Sequence, residues 1–274
     1  MQKTILITGA TDGIGLATAR RLSADGHHLL IHGRNADKLS KTVEALRALP
    51  DAGLVESYRA DLSDLTQVAR FGCDIRADHD RIDVVINNAG VLKADPPITA
   101  DNLDLRFVVN TLAPAVLTRL LLPAIPQGGR IVHLSSAAQA SVDLTAISGQ
   151  RRLAAMEAYA QSKLALTIWS QALASELGQD GPVTVAVNPG SLLATNMVRK
   201  GFGVAGNDIS IGADILIRAA LSDEFAGATG RYFDNDAGRF SAPHADAARP
   251  EKVAQVVRAI EALIADYLKE QRDV

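Results

Sequence analysis

The chain has 274 residues, 47% hydrophobic and 22% charged, which suits one large single-core soluble domain and forces no second one. Lys and Arg number 28 against 31 Asp and Glu, a net charge of −3 with no basic stripe, which excludes the phosphate-contacting surface of a nucleic-acid partner. The single cysteine, Cys73, can neither staple the fold nor build a thiolate metal site; it fits a reducing compartment and a place in helix packing.

A strand is expected at 3–8, so early that no room is left for a signal peptide. Gly9, Ala10, Thr11, Asp12, Gly13, Ile14 and Gly15 follow, before a helical pattern that ends near 25. Glycines at a strand-to-helix turn let the backbone approach a ligand, and the helix N-terminus offers unpaired amides and a positive dipole, so this turn reads as a pyrophosphate site. The second strand, 28–32, ends in Gly33-Arg34. Dinucleotide folds keep there either an acidic residue for a ribose 2′-hydroxyl or a guanidinium for a 2′-phosphate. Arg34, with no carboxylate beside it, favours NADP(H) over NAD(H); its other reading is a solvated residue at a helix start. His32 either adds a phosphate contact or serves structure alone.

A third strand is expected at 54–59, and Ser63 or Asp64 can cap a helix reaching about 77. The fourth, 83–86, runs into Asn87-Asn88-Ala89-Gly90, which puts donors and acceptors at the carboxyl edge of the sheet, where α/β folds bind ligands. Pro96-Pro97 breaks the chain before a helix predicted over 99–122. Asn110 falls inside it, a poor position because its amide competes for backbone hydrogen bonds; either it faces solvent or it has a function. The apolar run 111–125 is interrupted by Pro114, Arg119 and Pro123, short of the ~20 residues a membrane span needs.

The fifth strand, 130–134, ends in Ser135-Ser136, and 137–150 reads as loop. A long helix over 151–178 carries Tyr159 and Lys163, four apart and therefore on one face. An ammonium near a phenol should lower the phenol's pKa and let it exchange protons near neutrality. Taken alone, the pair also fits a half-buried Tyr beside a solvated Lys. The sixth strand, 183–187, leads to Asn188-Pro189-Gly190. After it, 191–212 is rich in small residues with Leu192, Leu193, Met197 and Phe202 interleaved, the composition of a lid. A helix over 211–221, a strand near 231–233 and an amphipathic helix over about 250–270 follow.

Seven strands alternating with helices predict a single-domain α/β Rossmann-type fold over 1–274, a doubly wound, mostly parallel seven-stranded sheet with helices on both faces. Leu144, Ile147, Leu192, Leu193, Met197, Phe202 and Phe240 either line an apolar pocket or pack as core and lid. His133 reads as strand packing, and His27, His79 and His244 show no metal-ligand spacing, so no metal is expected.

The run Thr8 to Gly15, Asn87-Asn88-Ala89-Gly90, Asn110, Ser136, Tyr159-x-x-x-Lys163 and Pro189-Gly190 resembles, in order and approximate spacing, the motifs of the short-chain dehydrogenase/reductase family. The resemblance implies Tyr159 as catalytic acid/base, and Lys163 as the residue that binds the nicotinamide ribose and lowers the tyrosine's pKa. Ser136, in preference to Ser135, would hydrogen-bond the reacting oxygen, and Asn110 would hold the active-site helix geometry and a proton-relay water. Implied cofactor contacts are Gly9, Thr11, Asp12, Gly13, Ile14 and Gly15, Arg34, Asp61 and Leu62 around the adenine, Asn87 near the adenosine ribose, Ala89, Gly90, Tyr159, Lys163, and Pro189 and Gly190 beside the nicotinamide.

Two features depart from the compact members. The 23-residue step from Ser136 to Tyr159 and the Gly230-Arg231-Tyr232-Phe233 stretch are similar to the retinol dehydrogenase-like branch; Thr195 lies one residue late for the family's nicotinamide contact. The implied function is an NADP(H)-dependent oxidoreductase that interconverts a carbonyl and an alcohol on a hydrophobic small molecule. A non-catalytic dinucleotide sensor or scaffold and a reductase of an activated C=C bond are the alternatives. A cytoplasmic homodimer or homotetramer without a membrane span is expected, paired through the 99–122 and 151–178 helices unless the C-terminal helix obstructs that face.

Overall fold

The computed structural model describes residues 1–269, apart from the side chain of Phe202; the last residues of the expected 1–274 domain and 250–270 helix lie outside them. In chain order the elements are β1 (Thr4–Ile7), α1 (Gly13–Ala24), β2 (His28–Gly33), α2 (Ala36–Arg47), β3 (Val55–Arg59), α3 (Leu65–Asp78) and β4 (Val84–Asn87). A composite helix follows, made of α4 (Leu105–Phe107), a π turn (Val108–Leu112) and α5 (Ala113–Leu121). Then come β5 (Arg130–Leu134), α6 (Leu144–Ile147), α7 (Ala155–Leu177), β6 (Val183–Asn188), α8 (Asn196–Phe202), α9 (Ser210–Leu221), β7 (Tyr232–Asp234), β8 (Arg239–Ser241) and α10 (Pro250–Lys269).

The strands form one sheet in the order β3-β2-β1-β4-β5-β6-β7-β8, parallel from β3 to β7. Strands buried on both faces read as continuous apolar runs, and alternate residues serve opposite layers. Leu6, Leu30, Val85 and Ile131 point under α3, α5, α7 and α10, whereas Ile5, Ile7, Leu29, Ile31, Val84 and Val132 point under α1, α2 and α9. The chain reverses its direction of winding between β1 and β4, so the crevice that α/β folds use for ligands opens at Thr8-Gly9 and Asn87 to Gly90.

Four expectations need correction. The sheet has eight strands: β8 turns back antiparallel on β7 through Gly238 at φ +64°, and Phe240 packs against Phe225 and Phe233. A three-residue strand with one half-buried ring leaves little alternation to read. The helix predicted over 99–122 begins at Leu105, where the Asp104 carboxylate accepts from the Arg106 amide. Its stretch Leu105–Ala124 is long and apolar enough to cross a membrane by length and composition, contrary to the sequence estimate, but 83% of the window is buried inside the fold. The 137–150 segment, read as loop, contains α6, capped by Asp143.

α10 is anchored by Val256, Ile260 and Ile264, four apart along one face, against α5 and α7. Glu261 on that helix accepts hydrogen bonds from Trp169 Nε1 at 2.8 Å and Arg119 at 2.7 Å. The helix pair through which subunit pairing is expected thus carries the chain's own last helix.

Candidate active site

The glycine turn is built by close approach. A Cβ on Gly15 would lie 2.4 Å from the Gly9 carbonyl oxygen, and one on Gly9, at φ +66°, would lie 3.1 Å from Ala89. Gly13, at φ +58°, faces open space with only Thr195 near, at 3.5 Å. Asp12 caps α1, accepting from the Gly13 amide at 2.7 Å, and its other oxygen accepts from Asn196 of α8. Thr11 packs on Gly33, and Ile14 faces Gly212 of α9. His32 donates nothing to a ligand: its Nδ1 accepts from the Gly9 amide at 3.2 Å and its Nε2 bonds the Ala60 carbonyl at 3.0 Å. Burial pushes its pKa down to about 4, so it stays neutral and structural.

The turn is tied to β4 through Thr8, whose hydroxyl accepts from the amides of Asn88 and Ala89. The Asn88 side-chain Nδ2 donates to the carbonyls of Thr8 and Gly9. Asn87 is turned the other way: its Nδ2 bonds Thr118 and His133 inside the core, so only its backbone faces the crevice. The family resemblance implies a ribose contact for Asn87 alone, although both amides are expected at the ligand edge of the sheet. Around the adenine position, Leu62 is buried in the core, while Asp61 lines a cleft of about 700 Å³ with Arg34, Asn35, Arg59 and Gln67. Arg59 escaped the sequence analysis; its Nε donates to the Arg34 carbonyl at 3.3 Å.

At the carboxyl end of β5 the two serines part. Ser135 is buried, with its hydroxyl 2.6 Å from that of Thr167 on α7. Ser136 lies beside Tyr159, and its oxygen accepts from the Ala138 amide at 3.1 Å. Its carbonyl is held by Gln139 and by the Tyr232 hydroxyl, two residues that local sequence pattern gives no reason to choose. Lys163, only 3% exposed, donates to the Leu134 carbonyl at 2.6 Å, with Nζ 5.7 Å from the Tyr159 ring centre.

The electrostatics differ from the expectation. Burial raises the Tyr159 phenol, against a smaller lowering by its hydrogen bond with Ser136. Burial also pulls Lys163 down to about 7, so near neutrality the amine is charged only part of the time. A partly neutral amine bonded to a carbonyl does not offset the desolvation of the phenol.

Asn110 is fully buried in the π turn, the one break in an otherwise α-helical stretch, and such breaks recur at functional sites. Its Oδ1 accepts from the Val91 amide at 2.8 Å; its Nδ2 donates to the Val91 carbonyl and to Ser162 Oγ, both at 3.0 Å. Ser162 donates to the Tyr159 carbonyl at 2.7 Å. Asn110 thus couples the loop after Gly90 to the turn of α7 that bears Tyr159 and Lys163. A Cβ on Gly90 would sit 3.3 Å from Asn110 Oδ1 and 3.4 Å from Lys163 Nζ, so that loop passes directly over both. Ser162 was missed, although its position beside Lys163 and one turn from Tyr159 places it on the inner face of the helix.

Pro189 and Gly190 are held by a polar set the sequence did not flag. Asn235 donates to the Pro189 carbonyl, Asp236 accepts from both the amide and hydroxyl of Ser191, and Asn188 bridges Asp234 and Asp236. The 191–212 segment contains α8, whose N-cap is Thr195, its oxygen accepting from the Val198 amide at 3.2 Å. Met197 reaches Gly90, and Gly201 packs on Leu92. Of the other expected pocket residues, Ile147 and Leu193 are buried core, Leu144 lies against the core, and Leu192 is exposed. Phe240 packs on the opposite layer, and the Phe202 side chain lies outside the described residues.

A sequence model of the family described as short chain dehydrogenase matches residues 3–204. Human retinol dehydrogenase 13 is 29% identical over 265 residues, covering 89% of this chain and 80% of the relative. Human polyprenol dehydrogenase is 30% identical over 254 residues, covering 85% and 77%. Among solved structures, a short chain dehydrogenase from Burkholderia cenocepacia in complex with NADP superposes with a TM-score of 0.67 at 27% identity, covering 85% of this chain and 95% of that one. With the glycine turn, the Asn110 π turn and the Ser136, Tyr159 and Lys163 cluster meeting at one edge of the sheet, the chain belongs to the short-chain dehydrogenase/reductase family of oxidoreductases, in its retinol dehydrogenase-like branch.

Proposed function

We propose that this oxidoreductase uses NADP(H) to interconvert a carbonyl and an alcohol on an apolar small molecule. The observation that carries the reading is the meeting of Ser136, Tyr159 and Lys163 beside Gly90, at the same sheet edge as the glycine turn. The donor set fits the cofactor. Gly13 leaves its approach open, and the cleft beyond β2 holds two guanidiniums, Arg34 and Arg59, with Asn35 and Gln67. Its one carboxylate, Asp61, is engaged by the amide and hydroxyl of Ser63. Two guanidiniums against this single carboxylate, whose Oδ1 is taken up by Ser63, suit a phosphate better than a ribose hydroxyl. The NADP complex of the Burkholderia relative is in keeping with this.

In this reading the turn from Gly9 to Gly15 receives the pyrophosphate, Arg34 and Arg59 the 2′-phosphate, and Gly90, Lys163, Pro189 and Gly190 flank the nicotinamide. The cofactor supplies the hydride. Tyr159 gives its proton to the carbonyl oxygen; its raised pKa keeps the phenol protonated at neutral pH until charge develops on that oxygen. Ser136 donates a hydrogen bond to the same oxygen, an interaction strongest in the transition state. Lys163, whose Nζ stands 5.7 Å from the Tyr159 ring centre, would hold the nicotinamide ribose beside the phenol when the cofactor is bound. The two human relatives are named for apolar alcohols, which supports the same class of substrate here. The chain is further taken to be cytoplasmic and to assemble as a homodimer or homotetramer, through a surface other than the one α10 covers.

Titration of purified protein with NADPH and NADH, followed by Trp169 and nicotinamide fluorescence, tests the cofactor assignment. NADPH should bind at least about tenfold more tightly, and Arg34→Asp should remove that preference. Equal affinity for both in the wild-type protein sinks the phosphate assignment, and absence of any binding sinks the oxidoreductase mechanism drawn here.

A further inference from the structure

The proposed cofactor crevice lies at the carboxyl ends of the strands; a second cluster sits at their amino ends. His28 opens β2, Glu56 is the second residue of β3, and His79 follows the last turn of α3. The register pairs Leu30 with Glu56, so His28, two residues before Leu30, projects from the same face of the sheet as Glu56 and Tyr58. That is the face α3 covers, and its last turn delivers His79 to the same place. One ligand atom from each of His28, Glu56 and His79 lies within 4.8 Å of the other two.

We propose that His28, Glu56 and His79 form a binding site for a divalent transition-metal ion of the Zn²⁺ type. Glu56 Oε1 is 2.6 Å from His28 Nε2 and 3.8 Å from His79 Nε2. Tetrahedral Zn²⁺ with bonds of about 2.0–2.1 Å sets its ligand atoms about 3.3 Å apart. The two observed separations bracket that edge, and opening the first by about 0.7 Å and closing the second by about 0.5 Å, a rotamer-scale motion, satisfies both. Two imidazoles and one carboxylate are also the donor types Zn²⁺ prefers. The Tyr58 hydroxyl, 2.8 Å from His79 Nε2, donates to Asp78 Oδ2 at 2.9 Å, so the fourth position on the ion falls to water.

The surroundings are those of a supported site. Thr4 Oγ1 lies 3.5 Å from His28 Nδ1, where it can orient the ring that presents Nε2. The His79 ring meets that of His28 edge to face at 5.5 Å between centres, which restricts both rings. The side chains of His28 and His79 are 17% and 11% exposed, open enough for entry and covered enough to keep their geometry. Sequence spacing could not reveal the set, because its members come from two strands and a helix end that only the fold brings together. A bound ion would clamp the edge strand β3 to β2 and to α3.

Isothermal titration of tag-free, EDTA-stripped protein with ZnCl₂ decides the matter, with His28→Ala, His79→Ala, Glu56→Gln and a distant control, His244→Ala. The expected result is one equivalent of Zn²⁺ bound with Kd at or below about 1 µM. The control should match wild type, and each of the other three should bind at least about tenfold more weakly. Saturating Zn²⁺ should raise the thermal midpoint of the wild-type protein by about 5 °C and leave that of His79→Ala unmoved. The Glu56→Gln side chain keeps size and hydrogen bonding, so it reports on coordination even where an alanine variant fails to fold. Absence of stoichiometric Zn²⁺ binding by the wild-type protein, or wild-type affinity in Glu56→Gln and His79→Ala, overturns the proposal and leaves an ordinary hydrogen-bonded cluster.

Discussion

Asn110→Ala probes the joint between the cofactor side and the catalytic helix. The substitution deprives the Val91 amide, the Val91 carbonyl and the Ser162 hydroxyl of a partner each, in a place where Asn110 itself is fully buried. A lost hydrogen bond that leaves a group without water costs about 1 kcal/mol or more, so the three together amount to roughly 3 kcal/mol. For a chain of this size that lowers the thermal midpoint by about 6–12 °C. Calorimetry would record the shift, and carbonyl reduction should fall with it because Ser162 also holds the Tyr159 carbonyl. Ser162→Ala shares one of the three bonds, so the double variant should be less destabilised than the sum by about 1 kcal/mol. A midpoint within about 2 °C of wild type, or strictly additive losses, would refute the view that Asn110 works through these bonds.

Tyr159→Phe should lower kcat by about 10²–10⁴-fold while NADPH affinity stays within about threefold, as steady-state kinetics beside a binding titration would show; undiminished turnover removes Tyr159 as the acid. Gly15→Ala places a methyl 2.4 Å from a backbone oxygen, so the turn must move, and NADPH binding should weaken at least about tenfold; an unchanged Kd would mean that the turn is not the pyrophosphate site. Lys163 has a folded pKa of about 7 against an ordinary 10.5. Between those values the unfolded chain binds the extra proton, so this group's penalty is full below pH 7 and fades as pH rises toward 10.5. The thermal midpoint of Lys163→Met relative to wild type should therefore be highest near or below pH 7 and decline up to about pH 10; a pH-independent difference contradicts the burial argument.

The parts of the site that the sequence disclosed are those whose geometry is local. A glycine turn between a strand and a helix, and a tyrosine four residues before a lysine, need only the periods of 2 and 3.6 to be placed. Arg59, Asp236 and the β8 hairpin depend on contacts between strands and loops far apart in the chain, and no local pattern marks them. The direction of the Tyr159 shift belongs with them. Spacing brings an amine to the right face of α7, but the burial that raises the phenol's pKa and lowers the amine's is set by the whole packed edge.

The two paired polar residues show where a period was known and its phase was not used. Val85 points into the layer under α3, α5 and α7, so Asn87, two residues on, must point there too, and it meets Thr118 and His133. Ile131 points into the same layer, and with it His133 and Ser135, which meet Trp169 and Thr167. The next residues, Asn88 and Ser136, do not share that inward phase and lie just beyond the strand ends at the crevice, where Asn88 holds the glycine turn and Ser136 stands beside Tyr159. A neighbour's burial, carried two residues along each strand, separates Ser136 from Ser135 without reference to any family. Applied to β4, it would have moved the crevice role from the side chain of Asn87 to that of Asn88. The identity of a buried apolar residue one pleat upstream is therefore the signal that assigns a polar pair at a strand end.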